Sequence, residues 1–325
     1  MTGPILITGA GGFIGSAVVA RLVGSGLAVR AGLRRLPDGP APARDIVGCD
    51  LDDPHSLDHA CAGAVAIVHA AGRAVSGMTG QMRNLLAAAE RAGIDRIVYF
   101  SSIAVYGPTE GRVGEPDAPA NTAAPDDPYC TAKRSCEAML RAWVAARPGR
   151  RAAILRPGIV YGPGSALWVD RPLAALSAGS LGDLGPRGEG IAALIHLHDV
   201  AEATRCALAA LSGPGPGLLA ANLVGPETPS WNGYFAALAA SAGLPKPRAL
   251  RPSRLALLRA LSLPAKVLAK LRLPTPRALR FVPAPGELRL FARAARYDTA
   301  RGRTDLGFRA TTPLAEGLAV SLRRA

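Results

Sequence analysis

The sequence predicts an α/β chain, a doubly wound parallel sheet with a smaller, mostly helical C-terminal substrate region. Three observations carry this. Short apolar runs alternate with helix-period stretches; the first run breaks into a glycine-rich turn that opens a helix; and 325 residues exceed one mononucleotide-binding half.

The first run, Ile5-Leu6-Ile7, reads as a buried parallel strand, and Thr8-Gly9-Ala10-Gly11-Gly12-Phe13-Ile14-Gly15 follows it into the periodic stretch Ala17–Val23. In such a turn Gly9 permits the bend, Gly12 lets backbone approach a pyrophosphate, and Gly15 lets helix and strand pack closely. Phe13 and Ile14 open the helix, whose N-terminus faces the phosphates. The pattern points to an anionic dinucleotide.

A second strand, Leu27–Leu33, is followed by Arg34 and Arg35 where NAD-preferring folds usually place an acidic residue for the ribose hydroxyls. Arginine suits a 2′-phosphate, so NADP is the expected cofactor and NAD the alternative. A third strand, Ile46–Cys49, ends at Asp50 and Leu51, which would border the adenine. The fourth, Val65–His69, runs into Ala70-Ala71-Gly72, small residues that let backbone lie against a cofactor. His69 is expected to be a packed strand-end residue.

The strand Arg96–Phe100 leads to Ser101-Ser102 and then Val105-Tyr106-Gly107. A long Pro-, Gly- and acid-rich loop, Pro108 to Pro128, follows, of the kind that forms binding edges or lids. It delivers Tyr129 and Lys133, four apart and so on one helix face. A tyrosine at its ordinary pKa of about 10 is a poor base at neutral pH, and a nearby ammonium, with the positive nicotinamide ring, would favour the phenolate. With Ser102 bonding a substrate oxygen and Tyr129 exchanging its proton, this set suits alcohol–ketone chemistry.

These motifs, in this order, resemble the extended short-chain dehydrogenase/reductases, the NAD-dependent epimerase/dehydratase family. The resemblance rests on the Thr8–Gly15 turn, Ser102 ahead of Val105-Tyr106-Gly107, Tyr129-x-x-x-Lys133, and Arg156-Pro157-Gly158-Ile159-Val160-Tyr161-Gly162. It extends through Tyr297–Arg301, Leu306–Phe308 and Pro313–Leu318. The resemblance implies a Rossmann sheet, a catalytic set of Ser102, Tyr129 and Lys133, and cofactor contacts that include Tyr129, Lys133 and Pro157. Lys133 would also hold the nicotinamide ribose. Tyr106 and Tyr161 lack a lysine four residues on. Ile159 and Met78 stand where many relatives carry asparagine, which weighs against sugar-nucleotide contacts.

The implied layout is a dinucleotide-binding core over 1–164, a substrate-region insertion over 165–190, a return to the core over 191–225 and a C-terminal substrate domain over 226–325. Asp199 is expected to be structural, at a helix start. His196 and His198 sit two apart on an expected strand, and with no third candidate ligand no metal is expected. The five cysteines contain no Cys-x-x-Cys pair and are expected to be free thiols.

The net charge of +14 is C-terminal: residues 246–325 hold 18 Lys/Arg against 4 Asp/Glu. No recognition motif accompanies it, so no nucleic-acid partner is expected. The basic, leucine-rich stretch within 253–280 could cover an apolar pocket or lie on an anionic membrane surface; the simpler alternative is that its leucines pack on the domain itself and its Lys/Arg are solvated. Without a spanning run or signal-peptide pattern, a cytoplasmic protein is expected. The functional expectation is an NAD(P)-dependent oxidoreductase transferring hydride at a secondary alcohol or ketone of a small molecule, closest in character to hydroxysteroid dehydrogenases and dihydroflavonol reductases. The alternatives are a nucleotide-sugar epimerase or dehydratase holding NAD tightly, with arginines such as Arg251, Arg277 or Arg280 meeting the diphosphate, and a non-catalytic dinucleotide-binding protein. Family resemblance also implies pairing into a homodimer.

Overall fold

Ile5–Thr8 (β1) is buried along its whole length because it lies mid-sheet with helices on both faces. The computed structural model describes residues 3–36, 43, 45–72, 75–115, 127–270, 279 and 282–323. Around β1 run Val29–Leu33 (β2), Asp45–Gly48 (β3), Ala66–His69 (β4), Arg96–Phe100 (β5), Arg151–Pro157 (β7) and Leu218–Leu223 (β10). All pair in parallel, in the order β10-β7-β5-β4-β1-β2-β3. The expected doubly wound sheet is present. Strand order reverses between β1 and β4, and the crevice at their C-terminal ends is where such sheets bind ligands.

Successive side chains alternate between two cores. Ile5, Ile7, Val68, Val98 and Leu155 face the helices Phe13–Gly24 (α1) and Leu197–Ser212 (α6). Leu6, Ile67, Ile97, Tyr99 and Ile154 face Pro54–Cys61 (α2), Met78–Arg91 (α3) and Pro128–Ala145 (α4). Two small sheets supplement the large one: Gly111–Val113 (β6) pairs with Ala295–Tyr297 (β11), and Ile159–Tyr161 (β8) with Leu194–His196 (β9). The loop expected over 108–128 therefore contains a strand; its residues 116–126 lie outside the described ones.

The helical region has its own aromatic core. Trp231, Tyr234 and Phe235 of Trp231–Ser241 (α7) pack with Leu255 of Pro252–Lys270 (α8) and Phe291 of Pro285–Ala292 (α9). Trp231 and Phe291 approach within 4.5 Å between ring centres. Ala166–Asp170, a wide helical turn, and Arg171–Ser177 (α5) join this layer. Ala300–Leu306 (α10) turns back, so that Leu306, Phe308 and Ala310 enter the core beside α6, and Leu314–Leu322 (α11) rejoins the aromatic cluster. Asp199 fixes that return: in the first turn of α6, 1% exposed, its carboxylate accepts from the Thr311 and Thr312 amides at 3.2 Å.

The glycine turn is sterically determined at two places. Gly9 has φ +72°, and a Cβ there would meet the Ala71 backbone at 2.8 Å; a Cβ at Gly15 would overlap the Gly9 carbonyl oxygen. Because backbone rather than a flexible side chain stands in the way at Gly15, Gly15→Ala is expected to displace α1 from β1, weakening dinucleotide binding at least tenfold and lowering the unfolding midpoint. Fluorescence titration and denaturant unfolding measure both.

Candidate active site

The expected catalytic residues arrive from two elements. After β5 the chain stays extended at Ser102, whose hydroxyl accepts from the Ala104 amide at 3.1 Å and starts a short helical turn, Ile103–Tyr106. Pro128 opens α4, and Asp127 caps it by accepting from the Tyr129 amide at 2.9 Å. Tyr129 is thereby fixed in the first turn, with Lys133 one turn on. Ser102 and Tyr129 line the same cavity.

Lys133 is buried, donates to the Phe100 carbonyl at 2.6 Å, and has its ammonium 4.8 Å from the Tyr99 ring centre and 5.8 Å from that of Tyr129. Burial lowers its pKa to about 8, against the pull of Cys136 and the Glu137 carboxylate. Tyr129 differs from expectation. Burial pushes its phenol up from the ordinary value, and the pull of the Ser102 hydroxyl only partly offsets this. The phenol is therefore held protonated at neutral pH.

All three side chains line one cavity of about 1000 Å³ at the sheet's C-terminal edge. Of the expected cofactor residues, Phe13, Ile14, Ala70, Ala71, Gly72 and Pro157 line it too. Gly9, Gly12 and Gly15 form the turn beneath. Arg34, Asp50 and Leu51 stand apart from the lining, at the ends of β2 and β3. Arg34 is exposed, Leu51 is buried, and Asp50 is tied into its own turn by Ser56 and the Asp52 amide. A dinucleotide fits this frame: Gly12 caps α1 without a side chain, leaving the first-turn amides to a phosphate, and Gly72 keeps the wall near the Lys133 ammonium free of a side chain.

Neither competing tyrosine reaches the cavity. Tyr106 donates to Asn222 at 2.9 Å and accepts from Arg156 at 2.8 Å, while Tyr161 packs edge-on to His196. His69 is packed as expected, bonded to Thr8 at 2.7 Å and stacked on Tyr99; burial and then Lys133 lower its pKa to about 3. His196 and His198 part company, because the helix starts at Leu197: His196 is buried and His198 exposed.

Two features escaped the sequence reading. Beneath the site lies a fully buried pair, Arg156 and Glu137, joined at 2.6 and 2.9 Å, with Ser101 donating to Glu137 at 2.6 Å. The outer wall comes from Ile159, Leu167, Trp168 and Leu290, together with Arg289 and Arg293 of the α9 end. Arg293 also donates to the Gly107 carbonyl at 3.2 Å. Arg251 is exposed and is not part of this wall, and Arg277 and Arg280 lie outside the described residues.

Residues 5–219 match the model of the NAD dependent epimerase/dehydratase family. The chain belongs to this family. It is 34% identical over 172 residues to the UDP-glucose 4-epimerase of Azospirillum brasilense, covering 47% of each chain. It is 32% identical over 184 residues to the 2-alkyl-3-oxoalkanoate reductase of Stenotrophomonas maltophilia, covering 51% of this chain and 54% of the relative. The chain thus spans about half the length of the curated relatives it matches. Over nearly its full length it superposes on MoeE5 in complex with UDP-glucuronic acid and NAD, with a TM-score of 0.72, 26% identity, and coverage of 98% of this chain and 97% of that one.

Proposed function

We propose that the chain is an NAD(P)-dependent oxidoreductase that reduces a lipophilic ketone, or oxidises the matching secondary alcohol, with Tyr129 as the proton donor or acceptor. The observation that carries this is that Ser102, Tyr129 and Lys133 line one cavity, the Lys133 ammonium 5.8 Å from the Tyr129 ring centre, and that the outer wall of this cavity is largely apolar. When bound, the nicotinamide dinucleotide supplies or takes the hydride. The Ser102 and Tyr129 hydroxyls converge on the position of the reacting oxygen. In the reducing direction the phenol, held protonated by burial, gives its proton to that oxygen. Lys133, an ammonium below about pH 8, keeps positive charge behind the phenol and steadies the phenolate left behind. Arg34, exposed at the end of β2, supports NADP through its fit to a 2′-phosphate.

A second reading, a nucleotide-sugar epimerase with bound NAD, is favoured by Arg289 and Arg293 in the cavity wall, which suit a diphosphate, and by the epimerase relative. One experiment separates the two. Freshly purified protein is denatured, any released dinucleotide is identified by mass, and the protein is assayed with NADPH plus 2-alkyl-3-oxo acids and, separately, with UDP-glucose alone. The reductase reading expects an empty or readily emptied site, preference for NADPH, and ketone-dependent NADPH oxidation. Co-purified NAD with UDP-sugar interconversion overturns it. Pairing into a homodimer belongs to the same proposal and is read by sedimentation equilibrium.

A further inference from the structure

We propose that the exposed face of α8 docks on an anionic lipid bilayer. The helix has two unlike faces. Leu255 is 3% exposed and, with Leu258, packs into the aromatic cluster. On the opposite side Leu257 and Leu261, one turn apart, are 59% and 46% exposed, flanked by exposed Ala256 and Ala260. A helix lying on a protein surface normally turns polar residues outward; this one turns leucine outward on the side away from its core.

The electrostatic setting selects the occupant. Between Glu227 and Glu287 the chain carries no Asp or Glu and ten Lys or Arg. Of these Arg251 and Arg254 are exposed at the start of α8, and Lys246 and Arg248 just before it. Leucine flanked by unopposed cations matches the boundary of an anionic bilayer, where acyl chains take the apolar side chains and headgroups meet the charges. A nucleic acid would satisfy the cations and leave the leucines in water. Among the described residues no helix is long and apolar enough to cross a membrane, so the contact is a peripheral one.

The position also matters for the site. Leu290 of α9 and Trp168 pack against the same cluster as Leu258, and both line the cavity. Docking therefore holds the substrate region, rather than the dinucleotide-binding core, against the membrane. Delivery of a membrane-dissolved substrate is a consequence only if the ketone-reductase reading holds; the docking itself does not depend on it.

The test uses the full chain and flotation with vesicles of phosphatidylcholine alone or mixed with phosphatidylglycerol. The expected result is flotation with the mixed vesicles, little with phosphatidylcholine, and release on raising salt. The double variant Leu257→Gln/Leu261→Gln should lose at least tenfold in partition while keeping dinucleotide affinity and the unfolding midpoint, since both side chains are already in solvent. Equal flotation with both vesicle types, wild-type partition by the variant, or no flotation by a wild-type chain overturns the proposal. So does a wild-type dimer that the double variant converts to monomer, which would assign the patch to a second copy.

Discussion

Replacing Tyr129 by Phe should lower kcat by about 10²–10⁴, the usual yield of a positioned proton donor, while leaving dinucleotide affinity within a few-fold of wild type. The phenol hydroxyl is the one atom removed, and the ring still packs against the core formed by α3 and α4. Ser102 keeps the Ala104 amide, so the short turn after β5 survives. Steady-state kinetics with a dissociable ketone, alongside fluorescence titration of NADPH, separate the two effects. A variant with undiminished turnover would move the proton elsewhere and remove the basis of the reductase reading. Loss of dinucleotide binding together with activity would instead make Tyr129 a structural residue.

The pH dependence follows from the same pair of groups. Lys133 is lowered from its ordinary value to about 8, so reduction should weaken as pH rises through about 8 and the ammonium is lost. The phenol, raised by burial, stays protonated through that range.

Much of the scaffold was legible because its determinants are local. A strand buried on both faces is mostly apolar, and Ile5–Thr8 and Arg96–Phe100 show this as runs at their observed bounds or within a residue of them, with Thr8 and Arg96 polar only at the strand ends. Tyr129 and Lys133 share a helix face by spacing alone. Features joining distant segments were not legible. The β6–β11 pairing couples Val113 to Tyr297, and neither three-residue strand has enough pattern to announce itself. That Arg289 and Arg293 line the cavity, and Arg251 does not, was not legible for the same reason. In a tail rich in Arg, only the packing of α9 against Trp231 and Phe235 decides that Arg289 and Arg293 meet the site. The paired histidines show the converse, a local pattern defeated by a helix that starts at Leu197, between the two of them.

The buried pair has the largest expected effect on stability. Arg156 and Glu137 are essentially without solvent, and they tie together three segments of the site: Ser101 beside Ser102, α4 beneath Tyr129 and Lys133, and the β7 end beside Pro157. Arg156 also donates to Tyr106, which bonds Asn222 on β10. Removing one partner strands the other's charge away from water, so Arg156→Met should cost about 3–5 kcal/mol in denaturant unfolding. Replacing both, as Glu137→Leu/Arg156→Met, should recover most of that loss, because neither fully buried charge remains and Arg141, 3.7 Å from the Glu137 carboxylate, is itself partly exposed to water. Catalysis should not recover with stability. The Glu137 carboxylate helps keep Lys133 charged, and its removal should move the alkaline limb of the rate profile to lower pH. A double variant both stable and fully active, with an unmoved limb, would confine the pair to folding; a stable one with a shifted limb and reduced kcat would show that it holds the lysine's charge and the serine's position together.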